Sequence, residues 1–467
     1  MKQIIMKTLA VALMTGVVSG TVAQELRSSY FMKTSTYRHQ MNPALLDEAY
    51  VGMPFLGNIN VGASGNVGLK NFIYKLEGNP EYDLTTFMSP TVSANEFLGD
   101  LSSKNRMNVN VNYNIFSVAF KAFQGINLVE LNLRSNTMVS LPYELFDFMK
   151  TAGEQEHYSL ENLGARSSNY MELAFGHSHV INDKLTVGGK LKFLFGAAYA
   201  DLDVKRMDLT LNENEWVIDA DAELTAAVLK SDFKYSDSDD PNKTQEGKKK
   251  VEGLEDVKFG IPGFGMALDL GAVYKVMDGL TVSGGITDLG FISWSNANKA
   301  LSSDVYTFDG FKNPIYMGGT NTGDNKIGDQ FEALGDDLEK FFSFYDQGKG
   351  SKTTGLAATI NLGAEYEMPF YRNLSAGFLY TSRIQGLYSW HQGMLSANVR
   401  PLKWLEASLN TSVASTGWCF GGMLSFHPKG FNFFIGSDRF LGKVSKEFIP
   451  LNSLNANVAL GFNFPLN

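Results

Sequence analysis

The residues able to do chemistry are few and scattered. Of six histidines, at 39, 157, 177, 179, 391 and 427, only His177 and His179 stand close enough in the chain to share a metal. Residues two apart on a strand point to one face. No third ligand accompanies them, so the pair reads as interfacial rings rather than a metal site. The single cysteine, Cys419, excludes a multi-cysteine metal site and an intrachain disulfide framework. No G-x-S-x-G elbow and no H-E-x-x-H run occurs. The glycine-rich stretches lie inside alternating segments and form no phosphate loop. No catalytic residue, cofactor or metal is therefore assigned. What remains is a set of charges of both signs: Glu172, Lys190, Lys192, Asp269, Lys275, Glu365, Glu367, Arg383, Arg400 and Glu406. Such a set either braces a structure internally or lines a polar route whose charge sets selectivity.

The elements that carry these charges are strands. In "MNVNVNYNIF" (107–116) asparagine occupies positions 108, 110, 112 and 114, with an apolar residue at nearly every position between. Successive strand side chains point to opposite faces, so the asparagines share one. The pattern recurs in "YMELAFGHS", "LTVGGKLKFLF", "FGMALDLGAVYKV", "LAATINLGAEYE" and "LEASLNTSV". The apolar face is large and aromatic, and the other carries Gly, Asn or charge. Segments of about 9–13 residues also exceed the usual soluble strand of about 5–6 and match a tilted membrane strand. The fold expected is all-β, a transmembrane antiparallel barrel of about fourteen strands with an aqueous, asparagine-lined lumen.

Strands fall near 57–69, 107–123, 126–135, 168–180, 185–199, 264–276, 280–293, 354–368, 373–384, 391–400, 403–413, 417–427, 431–438 and 454–464. Short turns alternate with longer loops, chiefly 70–106, 136–167, 200–263 and 294–353. That asymmetry places the short turns and both termini in the periplasm and the loops outside. A bulge is needed between Asn114 and Phe116, where the alternation slips. Residues 203–211 and 215–229 are too charged for a lipid-facing wall and are read as a hairpin standing above the membrane.

Bulk properties agree. Hydrophobic residues make up 44% and charged residues 19% of the 467 residues, below the roughly 25% charged of soluble domains. A net charge of −9 argues against nucleic acid as a partner. Residues 1–23, with Lys2 and Lys7 before an apolar run and Thr21-Val22-Ala23 after it, read as a secretory signal peptide. Residues 24–56 then form an N-terminal periplasmic segment that is the candidate plug, and 57–467 the barrel. Expected partners are outer-membrane lipid and lipopolysaccharide. The acidic and lysine-rich run 236–250 is read as a solvated loop.

"HQMNPALL" (39–46) resembles the opening motif of the long-chain fatty-acid transporter family of outer membranes. That resemblance implies fourteen strands, an N-terminal hatch and passive passage of a small hydrophobic molecule, with Asn42, Pro43 and Ala44 as the gate. "NPALL", "YVGMPFLGNINVG", "LPYELFDFMK" and "ITDLGFISW" make the whole chain similar to a set of Gram-negative barrels catalogued only as a domain of unknown function. The architecture is also similar to a secretion-system barrel, which would make it a cell-surface scaffold binding a protein partner. A general porin is a further alternative. "NANVALGFNFPLN", with Phe462 and Phe464 two apart, resembles the C-terminal signal read by barrel assembly machinery. In "DQFEALGDDLEKFFSFY", Phe331, Leu334, Leu338, Phe341, Phe342 and Tyr345 follow helical spacing. By the transporter resemblance this loop helix would capture ligand; an amphipathic stripe equally suits packing into a lid, as does the shorter "PYELFDFMK".

Overall fold

Strand alternation sets the architecture. On the strand Gly164–Val180, Tyr170, Glu172 and Ala174 are buried while Met171 and Phe175 are exposed. On Leu405–Ala414, Leu409 is 68% exposed and Ser408 and Asn410 are buried. Here the large apolar side chains point out and the polar ones point in, the inverse of a soluble sandwich. The computed structural model describes residues 26–67, 71–76, 84–151, 155–211, 216–235, 248–302, 305–308, 316–317, 344–415, 417–440 and 456–466.

Fourteen antiparallel strands close on themselves. They are β1 (Asn58–Gly65), β2 (Lys104–Ala122), β3 (Gly125–Pro142), β4 (Gly164–Val180), β5 (Leu185–Leu211), β6 (Gly263–Met277) and β7 (Leu280–Ser302). The second half comprises β8 (Ala358–Glu367), β9 (Leu374–Ile384), β10 (Trp390–Leu402), β11 (Leu405–Ala414), β12 (Gly417–Phe426), β13 (Asn432–Ser437) and β14 (Ala456–Pro465). β14 returns to β1 with Ile59 opposite Leu460 and Ala63 opposite Ala456, which removes both sheet edges. Every expected strand is present, and the expected bulge falls between Asn114 and Phe116, after which Phe116 and Phe120 take over the outer face.

The wall is taller than hydropathy indicates. β3 runs to Pro142, β5 to Leu211 and β7 to Ser302, because backbone pairing continues where side chains stop being apolar. The hairpin read as standing above the membrane is continuous with the upper wall rather than an addition to its strand count. Its second strand, Trp216–Val228, pairs with β5 on one edge and with the end of β7 on the other, from Ala226 opposite Asn298 to Ala222 opposite Ser302. It fills the slot that β6 occupies lower down, so the count stays at fourteen. Residues 24–56 are likewise not all outside the wall, since Tyr50–Gly52 pairs with both β14 and β2.

Above the loop end lies a separate apolar core. Phe97 of α1 (Ala94–Leu98) stacks on Phe87 at 4.2 Å and meets Phe146 of α2 (Tyr143–Thr151) edge-on at 5.9 Å. Leu145, Phe146, Phe148 and Met149 of α2 are buried with Met207, Leu209, Ile218 and Leu254. "PYELFDFMK" therefore packs into a cap. Lys150 Nζ donates to the Phe87 and Ser89 carbonyls at 2.8 and 2.9 Å, and its desolvation lowers the ammonium pKa. At the short-turn end Phe123 and Phe370 are 83% and 80% exposed, and Trp418 and Phe420 project outward near the loop end, as two aromatic girdles would.

Candidate functional site

The bore is occupied in part by the chain itself. Residues Leu26 to Ala49 thread through it in three short turns, Arg27–Ser29, Thr36–Gln40 and Pro43–Leu45, and most of their side chains are buried. Asn42 starts the last turn. Its Oδ1 accepts from Ala44 N at 3.0 Å, and Pro43 takes the first helical position, where a missing N–H costs nothing.

The inward asparagines of the wall are what this segment bonds to. Asn361 donates to the Met41 carbonyl at 3.0 Å, Asn432 to the Thr34 carbonyl at 2.8 Å and Asn463 to Thr36 Oγ1 at 2.8 Å. Asn58 and Asn112 both reach Gln40 Oε1, at 2.9 and 3.2 Å. In the opening asparagine series, Asn114 bonds Asn132 at 2.8 Å and Asn110 bonds Asn108 at 3.1 Å. The expected polar inner face is there; an internal segment occupies much of the expected aqueous lumen.

Two carboxylates anchor the segment's backbone. Asp438 accepts from Arg27 N and Ser28 N, both at 2.7 Å, and Glu406 accepts from Thr34 N at 2.9 Å and Thr34 Oγ1 at 2.6 Å. Glu367 pairs with Lys33. The expected gate residues, Asn42, Pro43 and Ala44, sit against glycines. Asn42 Nδ2 donates to the Ala272 and Gly284 carbonyls at 3.3 Å each. A Cβ on Gly188 would overlap the backbone of Pro43 and Ala44, and one on Gly271 would overlap the Asn42 amide. Glycine is what allows so close an approach.

The other predicted charges separate into three groups. Glu172, Lys190, Lys192 and Asp269 come together fully buried in the wall's inner face: Lys192 Nζ lies 2.8 Å from Asp269, 2.7 Å from Asp288 and 3.7 Å from Glu172, while Lys190 meets Glu130 at 2.9 Å. Arg134 approaches Glu172 at 3.4 Å. Glu365 is partly buried on β8, two residues from Glu367, and Arg383 lines the open part of the bore. Lys275 and Arg400 do not join the lumen. Each points inward by parity but lies where its strand meets a short turn, Lys275 beside Asp278 at 3.6 Å and Arg400 on Asn373 at 3.4 Å.

Of the loop-helix residues, Phe331, Leu334, Leu338, Phe341 and Phe342 lie outside the described residues. Tyr345 is no helix residue: it begins the strand Tyr345–Gly355, opposite Leu301, and is buried. His177 hydrogen-bonds Asn127 at 3.0 Å, its ring 5.7 Å from that of His179. Among the described residues no group of three or more metal-ligating side chains is gathered.

Sequence reasoning missed Arg27, Glu130, Arg134, Asp288 and Asp438. Glu130 and Arg134 share inward parity with Asn132 and were legible. Asp288 was not, because the register with β6 shifts there and its φ is +59°, so Thr287 and Asp288 both turn inward.

Above the segment, on the loop side, the bore opens into a small chamber. Arg27, Gln40 and Met41 form its floor, and Asn110, Arg134, Asp288 and Arg383 are among its walls.

A closed antiparallel barrel, apolar outside and polar inside, with residues 26–49 lying in its bore, is a transmembrane β-barrel of the kind found in outer membranes. The chain belongs to the family of unknown function DUF5723, whose model matches residues 43–438. No curated protein sequence matches it. Among solved structures it is similar to the toluene transporter TodX of P. putida, at 9% identity and a TM-score of 0.39 over 92% of this chain and 94% of that one. It is similar also to the toluene transporter TbuX of Ralstonia pickettii, at 9% identity and 0.39 over 96% of each chain. A Pseudomonas aeruginosa FadL homologue gives 10% and 0.37 over 92% of each. Superpositions this loose carry no argument about cargo.

Proposed function

We propose that the protein is a passive outer-membrane channel for small molecules, closed at rest by residues 26–49 and opened when the turn at Asn42-Pro43-Ala44 leaves its seat. The observation that carries this is the seat itself: glycines at 188 and 271 and a ring of asparagine donors hold the segment by close approach and hydrogen bonds. Water can replace such bonds, each of which is worth only about 1 kcal/mol net. In this reading the termini and short turns face the periplasm, the cap faces outward, and no catalysis takes place. The hydrophobic cargo implied by the transporter resemblance, and ligand capture by the loop carrying Phe331, Leu334, Leu338, Phe341 and Phe342, rest on that resemblance.

The test is single-channel conductance in planar bilayers, comparing mature protein with a form lacking residues 24–48. Low conductance that rises on truncation supports the reading. Large conductance in the intact protein would replace it with a general porin, and a closed barrel in both forms with a surface scaffold for a protein partner.

A further inference from the structure

In a chain with a net charge of −9, the route down to the plug is lined with cations. Lys104 and Arg106 line a vestibule that shares Asn108's strand and the Trp390 side chain with the chamber below. In that chamber Arg27, Arg134 and Arg383 face the same void. Against these five the described lining of both spaces presents one carboxylate, Asp288, whose Oδ1 is held by Lys192 at 2.7 Å. Its charge also acts on Arg134 and Arg383, and all three chamber arginines have partners of their own. Behind the lining, Glu172 offsets part of Arg134's charge at 3.4 Å. Arg27 is placed by the Gln392 amide oxygen at 2.9 Å and by the Trp390 ring, 4.6 Å from its guanidinium carbon. The remaining walls supply neutral hydrogen-bonding groups, among them Asn110, Asn136, Thr359 and Thr381.

We infer that this chamber binds a small hydrophilic oxyanion, a carboxylate or a phosphate. Guanidinium groups are planar forks that match such oxygens in pairs, and a low-dielectric wall strengthens the attraction. Rings of Arg and Lys are also what makes a pore prefer anions. The enclosed space, about 60 Å³ or room for roughly four to six waters, suits a solute of a few heavy atoms and excludes a polymer. Arg27 belongs to the internal segment, so an anion bound here touches the part of the chain that occupies the bore. The inference names a cargo class for the proposed channel and rests on that reading only for its consequence in selectivity; binding does not require passage.

The test is isothermal titration of the detergent-solubilised intact protein with inorganic phosphate and, separately, with succinate. It is repeated on Arg383→Gln and Arg383→Lys, with heat-modifiable gel migration to show that each barrel is folded. Reversal potentials across a KCl gradient are then measured on Gly188→Ala, which unseats the plug. Millimolar or tighter binding, at least about tenfold weaker in Arg383→Gln and largely kept in Arg383→Lys, supports the site, and the tighter of the two probes names its chemistry. An anion-preferring current extends it to transport. Absence of binding to both probes, or binding unchanged in folded Arg383→Gln, overturns it. Arg383-dependent binding without current in any form would sink the channel reading and leave the anion site standing.

Discussion

Replacing Gly188 with alanine separates the plug from the wall that holds it. Gly188 lies in β5, opposite Gly271 of β6 and Ser178 of β4. The added methyl group would coincide with backbone atoms of Pro43 and Ala44, which have no rotamer by which to escape. Overpacking of this kind costs about 1–3 kcal/mol, so the ratio of seated to displaced plug should fall by about fivefold to about 150-fold. The wall gains in the same step, since alanine is better than glycine in a strand by about 0.5–1 kcal/mol. The expected result is a barrel at least as heat-resistant as wild type that opens far more often. Open-event frequency in planar bilayers reads the ratio directly, and proteolysis of residues 26–49 checks it independently. Gly355→Ala is the control, because its methyl group would meet nothing within 4 Å. A folded Gly188→Ala protein with wild-type event frequency and a protected N-terminal segment would refute the reasoning.

Asp438→Asn weakens the anchor on Arg27 and Ser28 by removing its charge, and should speed proteolysis near Arg27 roughly tenfold without changing the melting temperature of the wall or the frequency with which the Asn42-Pro43-Ala44 turn opens. Lys192→Met strips the ammonium from Asp269, Asp288 and Glu172; a loss of about 3–5 kcal/mol is expected, seen as a lower urea midpoint of barrel unfolding. That deficit should shrink as pH falls, because protonated carboxyls need no cation, and a pH-independent deficit would count against the network. Phe97→Ala empties the cap's aromatic stack at a cost of about 3–5 kcal/mol and should speed protease cleavage near Ala94–Leu98 while leaving barrel melting unchanged.

The wall was legible because lipid outside and polar groups inside impose one rule on every strand. Met171, Phe175 and Leu409 show it as plainly in the sequence as in the structure. Four things escaped for physical reasons. Asparagine at 112 or 361 is satisfied equally by water or by a peptide carbonyl, so its partner in residues 26–49 leaves no trace in strand periodicity. A bulge breaks parity, so Asp288 reads as outward and sits inward. Strand ends above the membrane lose the lipid rule while keeping their backbone bonds, so β5 and β7 outrun their apolar residues and Tyr345 passes for helix. Gly188 and Gly271 look like ordinary strand glycines until the Asn42-Pro43-Ala44 turn is seen lying on them.

The two halves of the internal segment are held by different forces, and the difference says which half can move. Tyr30, Phe31, Met32 and Tyr37 bury apolar surface against Leu379, Met394, Met423 and Phe434. Side chains of that size each contribute about 1.5–3 kcal/mol on burial, and water cannot substitute for the loss. Asn42 to Leu45 meet the wall mainly through glycine backbone and asparagine amides, contacts that hydration largely replaces. Withdrawing the whole segment would therefore cost several times what swinging the Asn42-Pro43-Ala44 turn costs. A gate built this way pivots on its aromatic half and releases its glycine-seated half, with Arg27 staying in the chamber to meet whatever enters.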